Sequence, residues 1–312
     1  MNIIFFGSSK FAAPSLRALS ASKHRVSCVV TQPDRHKGRG LHFSGTAIKT
    51  LAQASGIRVF QPERVNSKEA LDFFKGTACD LFVVISYGQI LSQKVLDIPK
   101  LFSINVHASL LPKYRGAAPI SWAVINGETR TGATVIKMTA KMDEGPVISR
   151  EQIGIEPEDT VITLEEKLSE LAARLLTSAV SSIEKNKYSL IPQDENSASY
   201  APKLKKENGR IDWRKNAVEI QNLVRGCAGW PGAFTFYKNK LLKIYRARAI
   251  QMPDSKRPEK PGEISGISKA GVLVRAQEGG LLIEELQMEG KRRMEARDFI
   301  AGHKIPVGER LG

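Results

Sequence analysis

Short apolar runs alternate with amphipathic stretches through the first third of the chain. Asn2–Phe6, Arg25–Val30, Arg58–Phe60, Asp80–Ser86 and Ser103–Val106 read as strands. Pro14–Ser20 and Ala47–Ser55, with apolar positions on one helical face, read as helices between them. This alternation predicts βαβ units and a parallel sheet. Leu81-Phe82-Val83-Val84-Ile85 is apolar at every position, as a strand buried on both faces must be. Ala133–Met138 and Pro146–Ile155 then read as neighbouring strands joined through a turn at Asp143-Glu144-Gly145. A long helix follows to about Glu184, its start placed at Thr163 by a capping box with Glu166.

The pattern changes over residues 186–210, where Pro192, Asn196, Ser197, Ser199, Pro202, Asn208 and Gly209 crowd together as in a linker. Beyond it lie one helix, Asn216–Arg225, and short glycine-punctuated strands: Ala233–Tyr237, Leu241–Arg248, Gly262–Ser268, Val272–Ala276 and Leu281–Met288. This half predicts a small β-barrel. The reading therefore divides the 312 residues into a domain at 1–189, a linker at 190–208 and a second domain at 209–312.

Composition adds that no apolar run reaches the ~18 residues of a membrane helix. The first strand starts at once, which leaves no room for a signal peptide, and the expectation is a cytoplasmic protein working as a monomer. Cys28, Cys79 and Cys227 are scattered and read as reduced, buried thiols with no metal role. The formal net charge of +15 is unevenly placed. Residues 1–50 carry eight Lys/Arg against one acid, 151–200 four against ten, and 201–250 twelve against three. Basic blocks at both ends suit a polyanionic partner, although a basic surface can also serve solubility alone.

Candidate chemistry lies in two places. The first βα turn, Gly7-Ser8-Ser9-Lys10-Phe11-Ala12, lacks the second and third glycines of a dinucleotide fingerprint, which speaks against a nucleotide-dependent oxidoreductase. Asn105 and His107, two apart on a strand, leave the same face near its C-terminal end. An amide donor and an imidazole side by side suit acyl transfer through a tetrahedral oxyanion, but the pair alone is weak evidence and a satisfied structural histidine is the better reading of it.

Asn105-Val106-His107-Ala108-Ser109-Leu110-Leu111-Pro112, then Tyr114-Arg115-Gly116, resembles the signature of the folate-dependent formyltransferases. Met142-Asp143-Glu144-Gly145-Pro146 resembles the family's Leu-Asp-x-Gly loop on a hairpin. The resemblance implies a catalytic set of Asn105, His107 and Asp143, without a Ser or Cys nucleophile and without a metal. Asp143 would orient the His107 ring and favour its charged form, while Asn105 and His107 stabilise the formyl oxyanion. Folate would be lined by Tyr87, Gly88, Gln89, Ile90 and Leu91, and by Ser109, Leu110, Leu111 and Pro112. The implied fold is α/β: a Rossmann-like doubly wound, mostly parallel sheet followed by a small OB-like β-barrel.

Members of this family act on a glycinamide nucleotide, on nucleotide-linked amino sugars or on methionyl-tRNA. Four features resemble the tRNA-directed branch. They are the basic loop Gln32–Gly40, the stretch Tyr200–Leu204 with Gly209–Trp213, the stretch Arg225–Phe234, and the basic β-barrel itself. The implied reaction moves formyl from 10-formyltetrahydrofolate to the amine of initiator methionyl-tRNA. Arg35, Lys37 and Arg39 are the implied tRNA contacts, and the barrel domain an implied tRNA-binding domain. The chain departs from the family pattern at Ser8-Ser9-Lys10, at Lys141-Met142-Asp143-Glu144, and at Leu41–Gly45, where relatives often carry lysines.

Overall fold

A computed structural model describes residues 1–37, 42–252, 260–303 and 305–312. The N-terminal elements, in chain order, are β1 (Asn2–Gly7), α1 (Ala13–Ser20), β2 (Arg25–Val30), β3 (Arg35–Lys37), β4 (His42–Ser44), α2 (Ala47–Ala54), β5 (Val59–Phe60) and α3 (Lys68–Lys75). They continue with β6 (Leu81–Ile85), α4 (Gln93–Leu96), β7 (Phe102–His107), α5 (Pro119–Ile125), β8 (Arg130–Lys137), β9 (Val147–Gly154) and α6 (Val161–Glu184).

Seven strands form one sheet in the order β5-β2-β1-β6-β7-β8-β9. The first five are parallel; β8 runs antiparallel to β7, and β9 antiparallel to β8. Strand order reverses at β1 and β6, and sites on open α/β sheets open beyond the carboxyl ends of strands at such a point. Both faces are covered: Ile3, Ile4, Phe5 and Phe6 are all inaccessible, and all five residues of β6 are buried. One face carries an aromatic cluster in which Phe6 touches Phe74, Phe82 and Tyr87.

The first βα turn is closed by side chains. Ser8 Oγ donates to Tyr87 O at 3.0 Å and accepts from Gln32 N at 3.1 Å, tying together the segments that follow β1, β2 and β6. A Cβ on Gly7 would meet the Phe5 ring at 2.8 Å and Ala12 Cβ at 3.1 Å, so glycine is required there for packing.

Three local readings change. The long helix starts at Val161, ahead of Thr163, because Thr160 and Thr163 cap each other through hydroxyl and backbone N–H, at 3.0 and 3.3 Å. The basic loop is bounded by a two-stranded ribbon in which β3 pairs antiparallel with β4. Helices α3, α4 and α5 add to those read from the sequence; α3 starts at Ser67, whose hydroxyl accepts from Ala70 N at 3.2 Å.

The C-terminal elements are α7 (Ala217–Gly226), β10 (Ala233–Tyr237), β11 (Lys240–Ile250), β12 (Ile264–Ser268), β13 (Gly271–Arg275), β14 (Gly280–Met288), β15 (Met294–Glu295) and α8 (Ala296–Gly302). Asn216 and Glu219 form the capping box that starts α7. An antiparallel sheet runs β10-β11-β14-β13-β12, with β15 on β14. Its two edges are joined by the last residues of the chain. Ile264 N donates to Glu309 O and Leu311 N to Gly262 O, while Gly312 N donates to Phe236 O. The sheet thus curls into a small barrel around a core that includes Trp213, Ile244, Val274, Leu281, Ile283 and Phe299.

By contacts the chain forms two compact units. One comprises residues 1–119, 130–154 and 165–201; the other comprises 120–129, 155–164 and 202–312. No described helix is long and apolar enough to cross a membrane. All three cysteines are free and buried, and burial pushes the thiols of Cys28, Cys79 and Cys227 up to about 12, 11 and 12.

Candidate active site

Strand β7 lies between β6 and β8, so its end is rigidly placed. Asn105 pairs with Val84 on one side and Ile136 on the other, and His107 pairs with Thr134. The two side chains leave the same face, as their spacing requires. Asp143 sits in the turn between β8 and β9 with φ +57, a left-handed conformation that aspartate tolerates better than most residues. Beside it, a Cβ on Gly145 would lie 1.8 Å from Lys137 O, so only glycine can close this turn.

The fold brings Asn105, His107 and Asp143 together. Asn105 Nδ2 donates to Asp143 Oδ1 at 3.3 Å, and His107 Nδ1 lies 3.5 Å from Asp143 Oδ2. Gly116 N donates to the same Oδ2 at 2.8 Å. His107 Nε2 is 2.8 Å from Tyr114 O; a carbonyl only accepts, so the proton lies on Nε2. The His107 and Asp143 side chains are 7% and 12% exposed, a setting in which charge-assisted bonds outweigh their counterparts in water. The arrangement brings an amide donor hydrogen-bonded to a carboxylate together with an imidazole that faces the same carboxylate.

The signature segment between them is itself pinned. Thr134 Oγ1 donates to Ser109 O at 2.7 Å and accepts from Leu111 N at 3.1 Å, and Ser109 Oγ donates to Lys113 O at 2.6 Å. Of the nine residues expected to line folate, Tyr87, Leu91, Ser109 and Leu111 are buried. Gly88 and Ile90 are exposed, and Gln89, Leu110 and Pro112 are half-buried. Gln89 staples its segment to a neighbouring loop, accepting from Val65 N at 2.9 Å and donating to Glu63 O at 3.1 Å.

The expected tRNA contacts are placed less fully. Arg35 is exposed on β3, Lys37 is on the same strand, and Arg39 falls outside the described residues. The base of this ribbon is anchored: Asp34 accepts from Gln61 Nε2 at 2.8 Å and pairs with Lys49. Hydrogen bonds from Lys49 and Gln61 hold the Asp34 carboxyl below its usual range.

Matches to known sequences agree with the motif reading. Residues 1–180 match the Formyl transferase profile, and residues 203–304 match Formyl transferase, C-terminal domain. The chain belongs to the formyl transferase family. Two similar family members are the methionyl-tRNA formyltransferases of Geobacter sulfurreducens and Alkaliphilus oremlandii. Each is 43% identical over 312 residues, covering all of this chain and 97% and 100% of theirs. Among solved formyl transferases, the fold resembles WlaRD, a sugar 3N-formyl transferase solved with dTDP and 5-N-formyl-THF. The TM-score is 0.67 at 17% identity, over 94% of this chain and 99% of that one. The N-formyltransferase of Helicobacter canadensis gives 0.66 at 18%, over 92% and 98%.

Sequence reasoning missed the polar groups behind this candidate site. Arg115 stands in the signature but received no role, and it is 1% exposed. Its guanidinium meets Glu195 through two bonds of 2.9 Å and Gln193 Oε1 at 3.1 and 2.9 Å. Those bonds hold the Glu195 carboxyl below its ordinary range. Gln193 and Glu195 lie some 80 residues from Arg115 in a stretch that reads as linker, where no local signal marks them.

Proposed function

We propose that this chain transfers the formyl group of 10-formyltetrahydrofolate to the free amino group of initiator methionyl-tRNA. The observation that carries the reading is the similarity, at 43% identity, to methionyl-tRNA formyltransferases over all of this chain and 97% and 100% of theirs. The grouping of Asn105, His107 and Asp143 supports it chemically. In the reaction, the amine nitrogen attacks the formyl carbon, the carbonyl oxygen takes up the electron pair, and the bond from that carbon to folate N10 breaks. The proton shed by the amine ends on N10.

Asn105 Nδ2 has a second hydrogen beyond the one directed at Asp143, and this hydrogen stabilises the oxyanion. His107, with Nε2 on Tyr114 O, holds or passes a proton at Nδ1 against Asp143. Gly88 and Ile90, the exposed members of the expected folate-lining set, give the pteridine a contact surface at the strand-order reversal. Folate is a substrate here, and no residue is assigned to a metal.

In this reading residues 1–189 form the catalytic domain and 209–312 bind tRNA. Arg35, Lys37 and Arg39 contact the acceptor end, and the enzyme works as a cytoplasmic monomer. The basic content of residues 201–250 supports RNA binding by the second domain, since neutralising phosphates releases counterions. The test is formyl transfer from 10-formyltetrahydrofolate to methionyl-tRNA, with an amino-sugar nucleotide as competing acceptor. Transfer to the sugar alone would replace this reading with that of a sugar-directed relative.

A further inference from the structure

The turn that carries Asp143 is held from behind by one side chain. Gln193 Nε2 donates to Asp143 O and to Gly145 O, each at 2.7 Å, so both amide hydrogens are directed at this turn. Gln193 Oε1 accepts two bonds from Arg115, whose other edge meets Glu195. Gln193 therefore has no unused donor, and its orientation is dictated by a buried guanidinium.

Arg115 links the same support to the other partners. The residues on either side of it supply backbone contacts to the site: Tyr114 O accepts from His107 Nε2, and Gly116 N donates to Asp143 Oδ2. The segment around Gln193 grips this backbone too. Tyr114 N donates to Ser199 Oγ at 2.9 Å, Arg115 N to Ser199 O at 2.8 Å, and Ala201 N to Arg115 O at 2.7 Å. Gly116 has φ +119 and lies so close to Ala201 O that a Cβ would approach to 2.8 Å.

We propose that Gln193, oriented by Arg115 and Glu195, is a positioning residue that sets the height and direction of the Asp143 carboxylate, and that residues 193–201 act as a clamp on the site. The physical reason is the conformation of the turn. Asp143 has only a left-handed backbone with which to present its carboxylate, and that backbone persists where its surroundings over-determine it. Two bonds from a fixed amide provide that determination. The assignment rests on the function proposed above for its kinetic readout, but not for its spectroscopic one.

The experiment uses Gln193→Ala and Gln193→Glu in the full chain. The Glu variant keeps bulk and both bonds to Arg115, but it loses the donors and sets a carboxylate oxygen against two carbonyls. The first readout is the NMR chemical shift of the Gly116 amide proton, which reports on its bond to Asp143 Oδ2. In both variants it should move most of the way to its position in Asp143→Ala. The second readout is transfer kinetics: kcat should fall about 10- to 100-fold, the size seen when outer partners of metal-binding groups are removed, with KM for each substrate within about threefold.

If Gln193→Ala does not fold, Gln193→Glu gives the same reading. A folded variant whose Gly116 amide stays at the wild-type position, or whose kcat stays within about twofold, overturns the proposal. A loss confined to thermal stability does so too. If the wild-type chain does not formylate methionyl-tRNA, the functional reading fails, and the amide shift still decides this one.

Discussion

At the residue scale the site is organised around one carboxylate, which accepts two hydrogen bonds and faces an imidazole. Asp143 accepts from Asn105 and Gly116 and faces His107, so each partner's removal should be felt mainly in the transition state. Asn105→Ala should lower kcat by about 10²–10³, the usual loss for one oxyanion donor. His107→Ala and Asp143→Ala should fall at least as far, while folding and tRNA binding survive. Steady-state kinetics with a tRNA-binding assay check this; near wild-type turnover in Asn105→Ala or His107→Ala would remove the assigned roles. The grouping of these three residues was legible through the resemblance to the formyltransferase signature; strand spacing put Asn105 and His107 on one face but did not by itself separate a catalytic pair from a structural histidine. The commitment of His107 Nε2 to Tyr114 O was not legible, since it needs the left-handed backbone of Tyr114, φ +62.

At the element scale, sequence pattern succeeded where burial imposes a period. Strand β6 is apolar throughout and buried throughout, and α7 begins at its capping box. It failed where bonding is long-range or where two signals compete. The start of α6 was misplaced because Thr160 and Thr163 act as reciprocal caps ahead of the Thr163–Glu166 pair. Residues 190–201 read as linker by composition, yet Ile191 exchanges both backbone bonds with Val147, and Arg115 bonds Ser199. No local pattern reveals a partner that far away.

Gly116 tests this packing. Alanine there would adopt a φ that L residues rarely adopt and press on Ala201 O. Gly116→Ala should cost about 1–3 kcal/mol of stability, as such strained positions do, and lower kcat by displacing the N–H that Asp143 accepts. Denaturant unfolding and kinetics on the same sample check both; a variant as stable and as active as wild type would contradict the account.

At the scale of the whole molecule, the proposed chemistry falls in the α/β unit, and the C-terminal barrel is the basic unit proposed to meet RNA. The barrel closes through its own C-terminus, so removing residues 308–312 should unsettle β10 and β12 together. The basic ribbon after β2 makes a separable contribution in this account. Arg39→Ala should raise KM for tRNA, leave folate affinity unchanged, and flatten the salt dependence by roughly one unit of slope. Unchanged tRNA kinetics at low and high salt would remove the ribbon from the RNA interface.

The central claim is that the Asn105–His107–Asp143 site moves a formyl group from a reduced folate to an aminoacyl-tRNA. The most direct measurement supplies purified chain with 10-formyltetrahydrofolate and either methionyl-tRNA or a nucleotide-linked amino sugar, and follows the formylated product. Methionyl-tRNA should be formylated by the wild-type chain, with the rate collapsing in Asp143→Ala and the sugar left unmodified. Formylation of the sugar in preference to the tRNA, or tRNA formylation that persists undiminished in Asp143→Ala, would contradict it.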